Sequence, residues 1–488
     1  MRLSIKKNSK WNWGSLIDLP QKPLVLFLVL AFSVILGAIT VNGGLVSGIL
    51  LCIVLVGLPI LYALLSFPIF GIVFLLGFAY FLFFIFRLGV NFPLGTALDG
   101  MQALLILGFF IGQRKRPNWA IFKGNVSTIL LIWISYNIIQ VVNPYSESRL
   151  AWVYTVRTIA VITLMYYVFV YHIQTIKQLR LIIKVWLALT VVASVYSYKQ
   201  EYIGIASSEM AQMLSDPLIT ALFFINGHWR KYAIFSDPVE FAYNMVLGSI
   251  LCLSLIFGPF AKWKKIMLGV AFIMITNSTL FSGTRGAYVL LPACIVLMAV
   301  LKFNKQVMVF FIGAALGFGM LIFMPTGNAS IQRFQSAFRP GDDASYNVRK
   351  MNQERIKPYI LSHPIGGGLG AMGAWGVRFA PYSYLAQFPP DSGYVRVAAE
   401  MGWIGLFLIC TLIFIFLKTG IDYYYKIRDP ELKTFCLAMI LVIFALNIGN
   451  FPQEALVQYP NNLLFYLAIA IIHICYRLDQ KMDHPPIE

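Results

Sequence analysis

Arginine recurs in four short stretches of this chain, always near glycine, proline or a carboxylate. The first holds Arg230, Phe235, Asp237, Pro238, Glu240 and Phe241; the second is the turn Ser282, Gly283, Thr284, Arg285, Gly286. The third holds Arg349, Arg355 and His363-Pro364, with Gly366, Gly367, Gly368 and Gly370 behind them. The fourth runs Asp391, Ser392, Gly393, Tyr394, then Arg396, Glu400, Gly402 and Gly405. A guanidinium is a planar fork that matches paired oxygens of phosphate or carboxylate. Arginines held at a lipid head-group plane can grip a diphosphate and stabilise its charge as it leaves. A neighbouring carboxylate can take the proton of an attacking hydroxyl. Such a set suits glycosyl transfer from a polyprenyl-diphosphate-linked saccharide to a hydroxyl. The bland alternative is that these residues cap helices and pair with one another; Arg396 and Glu400, spaced four apart on a helix, fit it best.

The elements that must carry these residues are set by composition. The chain has 488 residues, 59% of them hydrophobic and 12% charged. Soluble domains run near ~45–50% apolar and ~25% charged. That excludes a soluble enzyme, a disordered scaffold and a secreted disulfide domain, and predicts an all-α, polytopic membrane protein. A span needs ~20 mostly apolar residues. Such runs fall near 24–42, 45–66, 68–86, 96–112, 126–142, 151–171, 181–198, 241–258, 266–282, 286–301, 306–324, 394–417, 434–450 and 456–476, about 12–14 helices once short runs are allowed for. The basic start leads into a full-length span without a small-residue cleavage site, unlike a signal peptide. The pattern predicts one integral domain over 1–488, with two long outer connections, 199–240 and 325–393. Loops of such length are usually functional. The apolar run from Pro217 to Asn226 is too short to span and predicts an interfacial or re-entrant piece.

Charge predicts the orientation. Of 38 Lys and Arg residues, 23 fall on the side of the N-terminus, in short connections such as Arg114/Lys115/Arg116 and Lys262/Lys264/Lys265. By the positive-inside rule that side is cytoplasmic and both termini lie there. The inner 23 comprise 17 Lys and 6 Arg, whereas the other 15 comprise 11 Arg and 4 Lys. The net charge of +18, which on a soluble protein would suggest nucleic acid, is therefore largely a topology signal. The arginine bias of the outer face points instead to an anionic ligand, with no nucleic-acid partner.

Other chemistries find little support. The six cysteines all lie in predicted spans without a CxxC pair and read as buried small hydrophobes. The five histidines show no metal-ligand spacing, and no Walker A sequence occurs. Gly368, Gly370 and Gly373 match GxGxxG, but in an outer loop rather than a βαβ unit; they predict tight turns and close backbone approach beside a ligand. Asp342-Asp343 reads as a turn or cap rather than a cation site. No cofactor is expected.

Together the four stretches resemble the signature regions of the bacterial O-antigen ligase and O-antigen polymerase superfamily. The resemblance covers roughly 225–410. It rests on Phe235/Asp237-Pro238, on Ser282-to-Gly286, on Arg349 preceding His363-Pro364 and its glycines, and on Asp391/Tyr394 preceding Glu400 and Gly402. It implies an inverting, metal-independent membrane glycosyltransferase of GT-C-like helical fold, with a large periplasmic loop, in a bacterial inner membrane. It implies Arg285 and Arg349 as diphosphate ligands, Arg230 assisting, and Asp391 as the group that orients or deprotonates the acceptor. Arg396 either meets the diphosphate or holds Glu400; Tyr394, His363, Gly368 and Gly370 support the site. Ligases of the superfamily resemble this pattern with histidine where Asp391 stands, and polymerases often carry aspartate. That difference favours polymerisation over transfer to lipid A-core. A protein O-oligosaccharyltransferase of the same superfamily is the nearest alternative. A lipid-linked oligosaccharide flippase and a structural scaffold are further ones; a flippase would need charges along an internal path and commonly related halves, and the chain has no visible repeat.

Overall fold

The computed structural model describes residues 62–482 except 90, 91, 226, 328, 339–343 and 390, together with Gly37 and Gly57. All of the first predicted span but Gly37, most of the second, and Asp342-Asp343 lie outside the described residues. The chain divides into two units, Met1–Ser66 and Phe67–Glu488, and the account below concerns the second.

That unit is a helical array. Its elements are α1 Pro68–Arg87, α2 Leu94–Lys115, α3 Asn125–Ile139, α4 Arg149–His172, α5 Ile176–Tyr198, α6 Ser207–Met213 and α7 Pro217–Phe223. A two-residue hairpin follows, β1 Phe224–Ile225 and β2 His228–Trp229. Next come α8 Pro238–Ile256, α9 Lys262–Phe281, α10 Arg285–Tyr288, α11 Leu290–Leu301, α12 Lys305–Phe323, α13 Ala329–Ser336, α14 Ala344–Ser362 and α15 Gly373–Phe379. The last three are α16 Gly393–Lys426, α17 Pro430–Gly449 and α18 Asn461–Asp479. Among the described residues, eleven helices are long and apolar enough to cross a membrane, and Arg285–Leu301 is a shorter apolar stretch. They coincide with the third to fourteenth predicted spans, so the protein is an all-α, multi-pass membrane protein. Residues 217–225 of the Pro217 run fold as α7 plus β1, each too short to span a membrane.

Lipid tails are as apolar as leucine, so packing rather than burial from water decides which helices sit inside. Three are central: the apolar windows of α8, α17 and α18 are 89%, 78% and 83% buried within the protein, against 6% for α12. Local signals set several helix starts. Asp237 accepts from the backbone N–H groups of Val239 and Glu240, with Pro238 at the first helical position. Thr175 and Gln178 form a capping box on α5.

The helix ends sort into two sides. On one, Arg180 pairs with Glu431 at 2.6 Å, Asp479 accepts from the N–H of Asp429 at 2.8 Å, and Arg477 donates to the Val170 carbonyl at 2.6 Å. On the other, Arg87 pairs with Glu209 at 3.1 Å, Arg333 donates to the Gly283 carbonyl at 2.6 Å, and Arg396 pairs with Glu454 at 2.9 Å. The four arginine-bearing stretches share this second side.

Candidate active site

The turn Ser282–Gly286 leaves α9 and enters α10, and Arg230 braces it. The Arg230 Nε donates to the Ser282 carbonyl at 2.7 Å, one terminal nitrogen to Thr284 Oγ1 at 2.8 Å and the other to the Leu222 carbonyl at 3.0 Å. Thr284 Oγ1 in turn donates to the Pro238 carbonyl at 3.0 Å, tying the turn to the head of α8. Burial, and then the nearby charges of Arg333 and Arg285, push the Arg230 guanidinium down to about 10. Three guanidiniums thus crowd one turn. Arg230 is buried and bonded to protein oxygens, so its visible work is to fix the loop that presents Arg285.

Arg285 and Arg349 line one cleft that opens broadly to solvent and measures about 1080 Å³ with its open mouth included. Tyr394, Asn447, Phe451 and Pro452 also line it. The Tyr394 hydroxyl donates to Asn447 Oδ1, joining the head of α16 to the C-terminal end of α17. Asp391 does not itself line this cleft, but lies on the chain just before Tyr394, which does. It precedes Tyr394 by three residues, and its Oδ2 accepts from Asn352 Nδ2 at 2.6 Å. Asn352 and Arg349 are also three apart on α14, hence neighbours on one helix face. One side of α14 therefore brings a cation to the cleft and a donor that orients the carboxylate. Asp391 itself remains partly exposed, so a hydroxyl can approach it.

Arg396 lies elsewhere. Its guanidinium donates to Glu400 Oε1 at 3.2 Å, Glu454 Oε1 at 2.9 Å and the Met372 carbonyl at 3.2 Å. Of the two roles expected for it, this geometry displays the pairing with Glu400, and Arg396 does not line the cleft of Arg285 and Arg349. Burial raises the Glu454 carboxyl above its ordinary range despite Arg396. Removing one partner of a buried pair leaves the other charge uncompensated, at a cost of about 3–5 kcal/mol. Arg396→Ala is therefore expected to lower the apparent melting temperature of the purified protein by several degrees, in a thermal unfolding scan. An unchanged melting temperature with lost activity would instead assign Arg396 to the substrate.

The glycine run has a mechanical task. Helix α16 breaks at Gly402, which has φ of 68°. A Cβ there would sit 2.0 Å from the Pro364 carbonyl oxygen, so only glycine fits. The break frees the carbonyls of Ala399 and Glu400, and the N–H groups of Gly367 and Gly368 donate to them at 2.8 and 2.9 Å. The Trp403 N–H returns to the Pro364 carbonyl at 2.9 Å. Met372 N–H donates to Glu400 Oε1 at 2.9 Å. Gly368 and Gly370 approach Ser146 and Thr155 too closely for a side chain. His363 stacks on Tyr359 with centroids 4.0 Å apart, and its Nδ1 lies 2.9 Å from Ser362 Oγ. These residues splint the kink that aims the α16 head.

Four contributors escape a motif-based search: Asn352, Arg333, Asn447 and Glu454. Each meets its partner across 39 or more residues of chain. Only the placement of Arg333 and Asn352 in the long outer connection hinted at them.

Residues 270–410 match the family model described as O-antigen ligase. The match contains Arg285, Arg349, Asp391 and Glu400 and leaves the Arg230–Phe241 stretch outside it. No curated protein matches the chain.

Proposed function

We propose that the chain is a membrane glycosyltransferase acting on a polyprenyl-diphosphate-linked saccharide, a reading supported by the match of residues 270–410 to the O-antigen ligase family model. The observation that carries this reading is the cleft itself: Arg285 and Arg349 on its wall, with Asp391 held by Asn352 one helical turn from Arg349. The acceptor oxygen attacks the anomeric carbon of the donor saccharide while the bond from that carbon to the diphosphate oxygen breaks. Asp391 takes the hydroxyl proton. The electron pair leaves with the polyprenyl diphosphate, whose growing charge Arg285 and Arg349 meet. A single displacement of this kind inverts the anomeric centre. The guanidiniums fill the role a metal ion has in other diphosphate chemistries, so transfer proceeds without one.

The excess of cations on the other side supports reading that side as cytoplasmic and the cleft as periplasmic, and the family resemblance supports a bacterial inner membrane. Aspartate at 391, where ligases carry histidine, favours a polymerase that joins lipid-linked repeat units; ligation to lipid A-core is the second reading. A deletion strain with its glycans resolved on a gel separates them. Single repeat units on lipid A are the expected result. Free polymer with an unmodified core would mean a ligase, and lost protein glycosylation an oligosaccharyltransferase. Unchanged glycans of all three kinds would sink the proposal.

A further inference from the structure

The end of the array opposite the arginine cleft carries cations that an orientation signal alone does not explain. Between Glu240 and Asp342 the chain holds no Asp or Glu, yet Lys262, Lys264, Lys265, Lys302 and Lys305 fall in this stretch at that end. They are of two kinds. Lys262, Lys264 and Lys305 are exposed, whereas Lys265 and Lys302 are partly buried, as is Lys433 in the first turn of α17. Exposed lysines suffice to hold a connection on one side of a membrane.

Folding brings the second kind together. The Lys302 ammonium donates to the Phe257 carbonyl at the end of α8, which uses one of its three protons. A Cβ on Gly258 would stand 2.9 Å from the Thr434 side chain, so this end of α8 abuts the head of α17. Phe260 meets Phe435 of α17 with centroids 6.2 Å apart, which sets the start of α9, and Lys265 in its first turn, at the same corner. Burial, and then the charges of Lys265 and Lys433, push the Lys302 ammonium below its ordinary range. Among the described residues none of these three lysines forms an ion pair. Three ammonium groups from three helices therefore repel one another in a partly dry place, where such repulsion is strongest.

The flank beside the cluster is the least covered part of the molecule. The apolar windows of α9 and α12 are 17% and 6% buried, the two lowest values among the described spans. Helix α9 packs on α8 and α12 on α11, and α13 touches both α9 and α12. Phe257 meets Phe310 of α12 edge to face at 5.5 Å, which brings the near end of α12 to the lysine corner. Ile266, Met267 and Val270 on α9, with Val309, Ile312 and Leu316 on α12, present exposed apolar surface beyond it.

A ligand for this place needs anionic oxygens at one end and hydrocarbon at the other. We propose that the flank of α9 and α12 binds an anionic diacyl phospholipid, its phosphate held by Lys265, Lys302 and Lys433 and its acyl chains lying along the two helices. Charge complementarity selects this occupant, since a basic corner between membrane helices suits an anionic head group and a zwitterionic one gains less from it. The lipid belongs to the leaflet opposite the arginine cleft, and the site uses no residue of the proposed reaction.

The test uses the full-length protein in phosphatidylcholine nanodiscs doped with an acyl-chain diazirine probe, either phosphatidylglycerol or phosphatidylcholine. Cross-linked peptides are mapped by mass spectrometry, and the labelling ratio of the two probes is read at each segment. The ratio at residues 266–270 and 309–316 is expected to exceed that near the exposed Lys177 and Lys184 of α5 by about fivefold or more, the worth of one further lysine at the phosphate. Lys265→Gln/Lys302→Gln/Lys433→Gln should abolish this excess. Lys262→Gln/Lys264→Gln/Lys305→Gln removes the same charge from exposed positions and should keep most of it. Inorganic phosphate in excess, at constant ionic strength, should not compete. Equal losses in the two triple variants would mean a diffuse field without a site, and full competition by phosphate would mean a soluble anion; either overturns the proposal. If the first variant fails to fold, the wild-type protein decides, because equal ratios at α5 and at the α9 and α12 flank overturn it as well.

Discussion

Asp391→Asn is expected to lower transfer of lipid-linked glycan by a factor of about 10²–10⁴, the usual contribution of a positioned general base, with no fall in the amount of protein in the membrane. Asparagine has the same shape and still offers an oxygen to the Asn352 amide, which now donates to Asp391 Oδ2 at 2.6 Å. The substitution therefore removes proton affinity while keeping the local geometry. The measurement is initial rate in isolated membranes, with protein level from an immunoblot of the same samples. Unchanged product would remove Asp391 from the chemistry. Asn352→Ala supplies a graded comparison. It leaves the carboxylate in place but free to turn, and small misplacements of a reacting group cost up to about 10²-fold. Its activity should fall between the wild type and Asp391→Asn. A loss as large as that of Asp391→Asn would point to a collapsed loop instead of a misoriented carboxylate.

The membrane helices were legible because each is a closed local problem. A span must satisfy its own backbone hydrogen bonds inside itself, so ~20 apolar residues suffice to announce it. The helix-spaced pair Arg396 and Glu400 was legible for the same reason. The shared side of the four arginine stretches followed from counting spans between them, and the contacts of Arg333 with Gly283 and of Asn352 with Asp391 place those stretches at one end of the array. What stayed hidden depends on chain segments meeting through space. Glu454 sits in the turn before α18 and joins Arg396 across 58 residues, which converts a helical pair into a buried three-membered cluster. The glycine run reads as a loop that favours turns, but its partner is a break in α16 whose existence depends on Gly402 adopting a positive φ. A glycine inside an apolar helix announces no break by itself, because glycine is common in membrane helices that pack closely.

Arg285→Lys and Arg349→Lys should each reduce turnover by about 10²–10³, the effect of removing one donor aimed at developing negative charge. Lysine keeps the positive charge and much of the length. It loses the planar fork that engages two phosphate oxygens at once. In the proposed mechanism the charge on the leaving diphosphate grows as its bond to the saccharide breaks, so these arginines would act mainly on the transition state. The prediction is a fall in kcat and in kcat/KM for the donor by similar factors, with a small change in KM. Because both side chains line one cleft, the double variant should lose less than the product of the single losses, as expected for groups that share one ligand. Arg230→Lys separates grip from scaffold. Arg230 donates to Ser282, Thr284 and Leu222, and a lysine cannot make all three bonds in that geometry, so its loss should appear first as lower thermal stability of the folded protein. Normal turnover in both Arg285→Lys and Arg349→Lys would rule out bidentate diphosphate binding. The cleft would then owe its arginines to some other anion, and the mechanism would have to find its leaving-group stabilisation elsewhere on the same face.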